Sequence, residues 1–278
     1  MTGTIIKIIS NDFTVLSNNK TYICKARGKF RNINITPLVG DIVKFDEKNN
    51  YILDILKRKN SLIRPSIANI DQLIILVSLK KPDFDAYLLD KLLILAEFNN
   101  IKPVIVLSKL DLLTDEEIDE LRPIINYYRN MYTVVINKDT SEVLKVLDNK
   151  INVFTGQSGA GKSTLLNSLD SSLNLKTDEI SLALGRGKHT TRHTELMKIG
   201  SGWVADTPGF SSLDLIDMTK SDIRDNFIEF QENRHKCKYK DCMHIKEDNC
   251  EIKRMVMNEE ILESRYNNYL KFIQEKGN

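Results

Sequence analysis

A glycine-rich loop in the middle of the chain has the residue types that bind a nucleotide phosphate. The run GQSGAGKS, from Gly156 to Ser163, follows the apolar stretch Ile151–Phe154. Glycines let consecutive backbone N–H groups turn towards a phosphate at a helix N-terminus. In such loops the lysine, here Lys162, reaches the β and γ oxygens, and the hydroxyl of Ser163 ligates Mg²⁺. The residues predicted to form this site are Gly156, Gln157, Ser158, Gly159, Ala160, Gly161, Lys162, Ser163 and Thr164.

A second motif, Asp206-Thr207-Pro208-Gly209, follows the apolar run Trp203–Ala205. At this distance from a phosphate-binding loop it predicts the second Mg²⁺ anchor. Asp206 would hold the ion through water, and the N–H of Gly209 would contact the γ-phosphate.

Residues 185–194, GRGKHTTRHT, are polar, basic and interrupted by glycines, so they cannot form a core. A threonine hydroxyl here would complete the Mg²⁺ shell only while the γ-phosphate is present, as in a switch loop. Thr190 and Thr191 are both candidates, and the sequence does not choose between them.

Phe210 stands where many GTPases carry the glutamine that orients the attacking water. A phenylalanine makes no such hydrogen bond, so we expect slow intrinsic hydrolysis. His189, in the switch stretch, is the candidate catalytic residue together with Lys162. The alternative is that His189 is an ordinary exposed histidine.

Ser108-Lys109-Leu110-Asp111 follows the apolar run Pro103–Leu107 and has the pattern of a guanine-reading motif. Asp111 would accept hydrogen bonds from guanine N1–H and the 2-amino group, which adenine does not offer. Lys109 would pack its stem over the base. Ser108 replaces the usual asparagine, so we expect the loop to lose a bracing amide. The backbone segment that supports guanine O6 would fall at Asn137-Lys138.

The guanine motif lies upstream of the phosphate loop, whereas the usual order is the reverse. This order indicates a circularly permuted GTPase domain, in which the strand ending at Asp206 leads directly into the last part of the chain.

A cysteine and histidine cluster lies near the C-terminus with the spacing C-x4-C-x-H-x5-C. Its members are Cys237, Cys242, His244 and Cys250. Three thiolates and an imidazole form a closed, structural zinc site, with no open position for a catalytic water. A disulfide is not expected in a cytosolic nucleotide enzyme. His235 is a possible substitute ligand, and Cys24 is expected to be a small buried apolar residue.

Length, composition and charge indicate three domains. The 278 residues are 41% hydrophobic and 28% charged, and they contain no signal-like or membrane-spanning apolar run. Residues 1–64 form short strand-like runs and carry twelve lysines and arginines against five acidic residues. They predict an OB-like basic β-barrel suited to a phosphate backbone, although a merely soluble basic surface remains an alternative. Its candidate contacts are Lys25, Arg27, Lys29, Arg31, Lys57, Arg58 and Lys59.

Residues 65–216 alternate apolar runs with helical stretches, which predicts a multidomain α/β protein with a mainly parallel central sheet. Residues 217–278 are predicted to form an α-helical zinc-binding domain, with helices at Ser221–Arg234 and Glu259–Glu275.

The order of the motifs, SKxD, GxxxxGKS, GKHTTR and DTPGF, followed by the cysteine cluster, resembles that of the ribosome small-subunit-dependent GTPases. This resemblance covers the whole chain. It implies a cytoplasmic factor that acts late in assembly of the small (30S) ribosomal subunit and contacts 16S ribosomal RNA. It also implies GTP hydrolysis stimulated by the subunit. We expect Mg²⁺ with GTP, one structural Zn²⁺, a monomer and no membrane partner.

Two alternatives remain open at this point. One is a P-loop ATPase or small-molecule kinase, for which the guanine motif would be a coincidence. The other is a zinc-stabilised RNA-binding protein whose nucleotide domain binds but does not hydrolyse.

Overall fold

The computed structural model describes residues 1–27, 30, 35–62, 66–175, 195–206 and 215–277. The first part is a closed barrel. Its strands are β1 Thr2–Ile9, β2 Asp12–Ser17, β3 Lys20–Ala26, β4 Ile42–Asp46 and β5 Tyr51–Ile55. They follow the order β1-β2-β3-β5-β4, and β4 pairs back onto β1. Alternate residues such as Phe13 and Val15 point into the barrel, and Cys24 is fully buried as predicted. The predicted five-stranded barrel is confirmed.

A larger sheet forms the centre of the molecule. Its strands are β8 Gln72–Ser78, β9 Lys102–Ser108, β10 Thr133–Ile136, β11 Ile151–Gly156, β12 Glu195–Ile199 and β13 Gly202–Asp206. They follow the order β10-β9-β8-β11-β13-β12. All neighbours are parallel except β12, which is antiparallel to β13. The mainly parallel sheet is therefore confirmed.

Helices cover both faces of this sheet. They are α1 Ala86–Phe98, α2 Asp115–Met131, α3 Thr140–Leu147 and α4 Lys162–Leu169. Helices α1 and α2 pack on the face that carries Leu73 and Ile75, while α3 and α4 pack on the face that carries Ile74 and Leu76. Because both faces are covered, the strands are apolar without alternation.

The barrel and the central sheet are continuous. Strand β1 pairs antiparallel with β12 at Lys7 and Glu195, whose side chains form an ion pair of 2.7 Å. The short strands β6 Ser61–Leu62 and β7 Ile67–Ala68 pair with each other in the segment between the two sheets. Barrel residues and residues of the central sheet share one hydrophobic core.

The C-terminal part is helical, with α5 Lys220–Asp225, α6 Ile228–Asn233, α7 Glu251–Met257 and α8 Glu263–Glu275. The predicted single helix at Ser221–Arg234 is wrong. The amide of Asn226 donates to the carbonyl of Asp222 at 2.7 Å, and Phe227 takes an extended conformation that starts a new helix. Asparagine ends helices in this way because its side chain competes for backbone partners.

The start of the last helix also differs from the prediction. Glu259 has a left-handed φ of +60°, so α8 begins only at Glu263. The residues before Glu259 form α7, which the sequence analysis did not predict.

A buried ionic cluster joins the C-terminal helices to α1 and α2. Arg265 of α8 and Asp90 of α1 are both fully buried and are 2.6 Å apart. The guanidinium also bonds to Glu229 of α6 at 3.0 Å. The Asp90 carboxylate accepts further bonds of 2.7 Å from Tyr128 and Asn268. Buried charges require such partners because an isolated one is costly to desolvate.

Among the helices of the described ranges, none is long and apolar enough to cross a membrane.

Candidate nucleotide site and metal centre

The carboxyl ends of the parallel strands meet at one edge of the central sheet. Ser78, Ser108, Ile136 and Gly156 end four neighbouring strands there, and the backbone of Asp206 ends a fifth. Ligands of open α/β sheets bind at this edge. The predicted phosphate loop and guanine motif are thus brought to the same place.

The phosphate loop connects β11 to α4, as predicted. Gly156 has φ +135°, and a Cβ there would lie 2.1 Å from the carbonyl oxygen of Leu76 in β8. Gly161, just before α4, has φ +97°. Both positions therefore require glycine, because a side chain would clash at the first and strain the backbone at both.

Lys162 turns its side chain into its own loop. Its Nζ donates to the carbonyl oxygens of Gly156 at 3.1 Å and Gln157 at 3.2 Å. Burial lowers the pKa of the Lys162 ammonium. An anionic phosphate in the loop would favour the charged form and so oppose this shift. The buried Ser163 follows in the first turn of α4.

Ser108 links the guanine motif to the phosphate loop. Its side chain is 4% exposed, and its Oγ donates to the carbonyl oxygen of Ala160 at 2.8 Å. The amide is absent at this position, as expected, but the shorter serine hydroxyl reaches the phosphate loop directly and supplies one bond of its own.

Lys109 makes a second link to the same loop. It has a left-handed φ of +61°, and its Nζ donates to the carbonyl oxygens of Gly159, at 2.7 Å, and of Lys81. Asp111 lies in the following 3-10 turn, Leu110–Leu112, with an exposed side chain. The motif therefore presents an acceptor to solvent beside a lysine stem that is already fixed.

The turn after β10 reaches the same edge. The N–H of Asn137 donates to the carbonyl of Leu107 at 2.7 Å, one residue before Ser108. The backbone predicted to support the guanine is therefore adjacent to the guanine motif.

The loop between β8 and α1 also belongs to this edge, although it was not predicted from the sequence. Lys80 donates to both carboxylate oxygens of Glu117, at 2.7 and 2.8 Å, and Glu117 also completes the capping box of α2 with Thr114. The carbonyl of Lys81 accepts a bond from Lys109, so this loop ties α2 to the lysine that also bonds to the phosphate loop. The position of this loop after a parallel strand could have indicated it, since loops after parallel strands line such sites.

Several predicted site residues lie outside the described residues. They are His189, Thr190, Thr191, Gly209, Phe210 and the side chain of Asp206. The backbone of Asp206 follows Ala205, which is paired with Val153 of the strand that carries the phosphate loop.

The four predicted metal ligands come together in the C-terminal helical part. The ligand atoms of Cys237, Cys242, His244 and Cys250 lie within 4.8 Å of one another. Nδ1 of His244 is 3.3 Å from the sulfur of Cys250 and 3.6 Å from that of Cys237, and these two sulfurs are 3.9 Å apart. A tetrahedron with Zn–S bonds of about 2.3 Å has sulfur atoms about 3.8 Å apart. The cluster therefore has the donor atoms and dimensions to hold a metal ion.

Burial sets the protonation of this cluster. It lowers the pKa of His244 to about 4, which leaves the imidazole neutral, and raises the pKa of Cys242 to about 12. Buried thiols resist ionisation unless a cation compensates the thiolate charge, so the cluster is chemically suited to a cation. His235 is exposed and does not belong to the cluster.

The parallel sheet, the phosphate loop and the upstream guanine motif bonded to it define a circularly permuted GTPase. Family models agree with this class. The model described as RsgA GTPase matches residues 55–216, and that described as RsgA N-terminal domain matches residues 2–52. The chain belongs to the RsgA GTPase family and is a GTP hydrolase.

Relatives match the chain over nearly its full length. Small ribosomal subunit biogenesis GTPase RsgA 2 of Oceanobacillus iheyensis is 49% identical, and the match covers 98% of this chain and 96% of the relative. A solved structure of YloQ, a circularly permuted GTPase, is 36% identical with a TM-score of 0.85, and the match covers 99% of this chain and 94% of YloQ. YjeQ from Thermotoga maritima is 35% identical with a TM-score of 0.87 and covers 99% and 98%.

Replacing Ser108 by alanine tests the link between the two motifs. Without the hydroxyl, the carbonyl of Ala160 loses its donor, so we expect the KM for GTP to rise about fivefold with little change in kcat. Steady-state GTPase kinetics measure both constants. Ser168→Ala is the matched control, because its hydroxyl donates to Leu165 within α4. Equal KM values for Ser108→Ala and the wild type would contradict the assigned brace.

Proposed function

We propose that this GTPase acts in biogenesis of the small (30S) ribosomal subunit, binds its 16S rRNA and is stimulated by it. A relative that matches nearly the whole chain is named as a small ribosomal subunit biogenesis GTPase, which supports the subunit as partner. The observation that carries the nucleotide part is the hydrogen bond from Ser108 to Ala160, since it joins a guanine-reading motif to a phosphate loop. A cytoplasmic, monomeric factor is in keeping with this role.

Different residues at the edge of the sheet would bind different parts of GTP. The loop from Gly156 to Thr164 would hold the phosphates, with Lys162 on the β and γ oxygens, while Asp111 would read guanine beside Lys109. In hydrolysis, a water oxygen bonds to the γ-phosphorus as the bond to the β–γ bridging oxygen breaks, giving GDP and phosphate. Lys162 would stabilise the charge that develops, and Gly209 would contact the γ-phosphate.

Mg²⁺ would be held by Ser163, by Asp206 and by either Thr190 or Thr191, and it would neutralise charge on the β and γ oxygens. His189 would orient the attacking water, since Phe210 cannot.

The metal centre would hold one structural Zn²⁺ through Cys237, Cys242, His244 and Cys250. The support is the closed set of four donors, which leaves no position for a catalytic water. The ion would fix the loop between α6 and α7.

The basic barrel is the candidate RNA surface, and among the described residues only some of its predicted RNA contacts are free of ion pairs within the protein. Arg58 bonds to buried Asp41 and Lys59 pairs with Asp71, so both are engaged within the protein. Lys25, Arg27 and Lys57 are exposed. These three would meet the phosphate backbone, while Lys29 and Arg31 lie outside the described residues.

Purified small subunits should raise the GTPase rate of the full-length protein, and this increase should shrink as salt rises, because phosphate contacts release counterions. In Lys162→Ala the rate with subunits should fall about a hundredfold, because a group that stabilises transition-state charge is lost. Lys145→Ala, exposed on α3, is the matched control. If the subunits leave the GTPase rate unchanged, the result would contradict the proposed role. It would favour an RNA-binding protein or a GTPase that acts elsewhere in the cell.

Asp111→Asn tests guanine reading against a general P-loop ATPase or kinase. An asparagine amide donates where the carboxylate accepts, so turnover should shift from GTP towards XTP. Rates with GTP, XTP and ATP measure the shift. Asp119→Asn, on the exposed face of α2, is the control. No gain with XTP would count against Asp111 as the base-reading residue.

Metal analysis tests the zinc proposal. The purified protein should contain one zinc per chain, and Cys242→Ser should lose it and lower the melting temperature, because the metal contributes folding energy. Cys24→Ser, in the barrel core, should keep the zinc. Retention of a full zinc equivalent by Cys242→Ser would remove Cys242 from the ligand set.

A further inference from the structure

Helix α1 contacts the phosphate loop with its first turn. Asp85 caps this helix, accepting a bond of 3.0 Å from the N–H of Leu88. Asp85, Leu88, Gly156 and Gln157 line the same narrow cleft, so the start of α1 lies against the start of the phosphate loop. The first turn of α1 is therefore a near neighbour of the phosphate loop.

The rest of α1 packs against the C-terminal helices. Asp90 is bonded to Arg265 and Asn268 of α8, and the Tyr87 ring packs on Phe272 with centroids 4.9 Å apart. The Tyr87 hydroxyl also bonds to Glu275. Further along, Ile94 and Leu95 are buried in the core of the C-terminal helices. One helix thus lies beside the start of the phosphate loop and also packs against α8.

The buried ion pair between Asp90 and Arg265 holds α1 and α8 together. The side chains of Asp90 and Arg265 are completely buried, with 0% of each exposed to solvent. Sliding α8 off α1 would leave a buried carboxylate without its guanidinium, which is strongly unfavourable. The two helices therefore separate only if the whole cluster opens.

We propose that α1 transmits the state of the phosphate loop to α8, and that Asp90 and Arg265 are the positioning pair that makes the transmission rigid. The inference rests on the phosphate loop's binding of GTP, but not on the ribosomal partner. It gives the nucleotide site a packed route to the metal-bearing helices, separate from the covalent connection through residues 207–214.

Hydrogen exchange of the full-length protein, with and without a non-hydrolysable GTP analogue, measures the transmission. In the wild type the analogue should slow exchange about threefold or more in α4, α1 and α8, because cooperative units are stabilised together. In Asp90→Asn the slowing should persist in α4 but disappear from α8. A merely structural role would lower stability while leaving the nucleotide response of α8 intact.

Two further variants keep the test decisive. Tyr87→Phe removes the hydroxyl bond to Glu275 while keeping a ring to pack on Phe272, and it should weaken the response of α8 even if Asp90→Asn fails to fold. Glu251→Gln breaks an exposed ion pair with Arg254 in α7, within the same helical part, and should respond as the wild type.

The proposal is overturned if the analogue protects α4 but not α8 in the wild type, or if α8 responds fully in folded Asp90→Asn. For Tyr87→Phe, an undiminished response of α8 would also count against it. No ribosomal subunit is present in this experiment, so its outcome is independent of the test of subunit stimulation.

Discussion

The hydrogen-bond ladder of the parallel sheet is the constraint on which the site depends. Neighbouring strands β10, β9, β8, β11 and β13 run in the same direction, so their carboxyl ends lie at one edge whatever their order along the chain. Permutation changes which strand comes first but not where each strand ends. The phosphate loop and the guanine motif therefore meet although their order in sequence is inverted.

Short polar contacts then turn this shared edge into one site. Ser108 and Lys109 both donate to carbonyls of the phosphate loop, and Lys80 holds the neighbouring loop to the cap of α2. The first two contacts join the end of β9 to the loop that follows β11, and the third joins the loop after β8 to α2. The guanine motif and the phosphate loop are thus fixed relative to each other without a nucleotide, and such preorganisation lowers the ordering cost of binding.

The parts that could be predicted from sequence were those set by local chemistry. Glycines at Gly156 and Gly161, apolar runs without alternation and the spacing of three cysteines and a histidine each have a local physical cause. The break at Asn226 was not set by local propensity, because the extended conformation of Phe227 accompanies the complete burial of its side chain in the core.

Long-range pairing could not be predicted at all. Asp90 stands out as a carboxylate within the apolar run LLDKLLIL, but its partner Arg265 is 175 positions away. No periodicity or motif spans that separation. The same holds for the bond from Ser108 to Ala160, which a substitution rule based on asparagine had not anticipated.

The packing of α8 on α1 also limits which fragments of this protein can be studied separately. The segment that matches the GTPase family model ends at residue 216, before any of the C-terminal helices. A fragment cut there would expose Ile94 and Leu95 to water and leave Asp90 facing solvent without its guanidinium. The segment that the GTPase family model matches is therefore smaller than the packed unit around α1, and we expect a stable fragment of this chain to need the C-terminal helices as well.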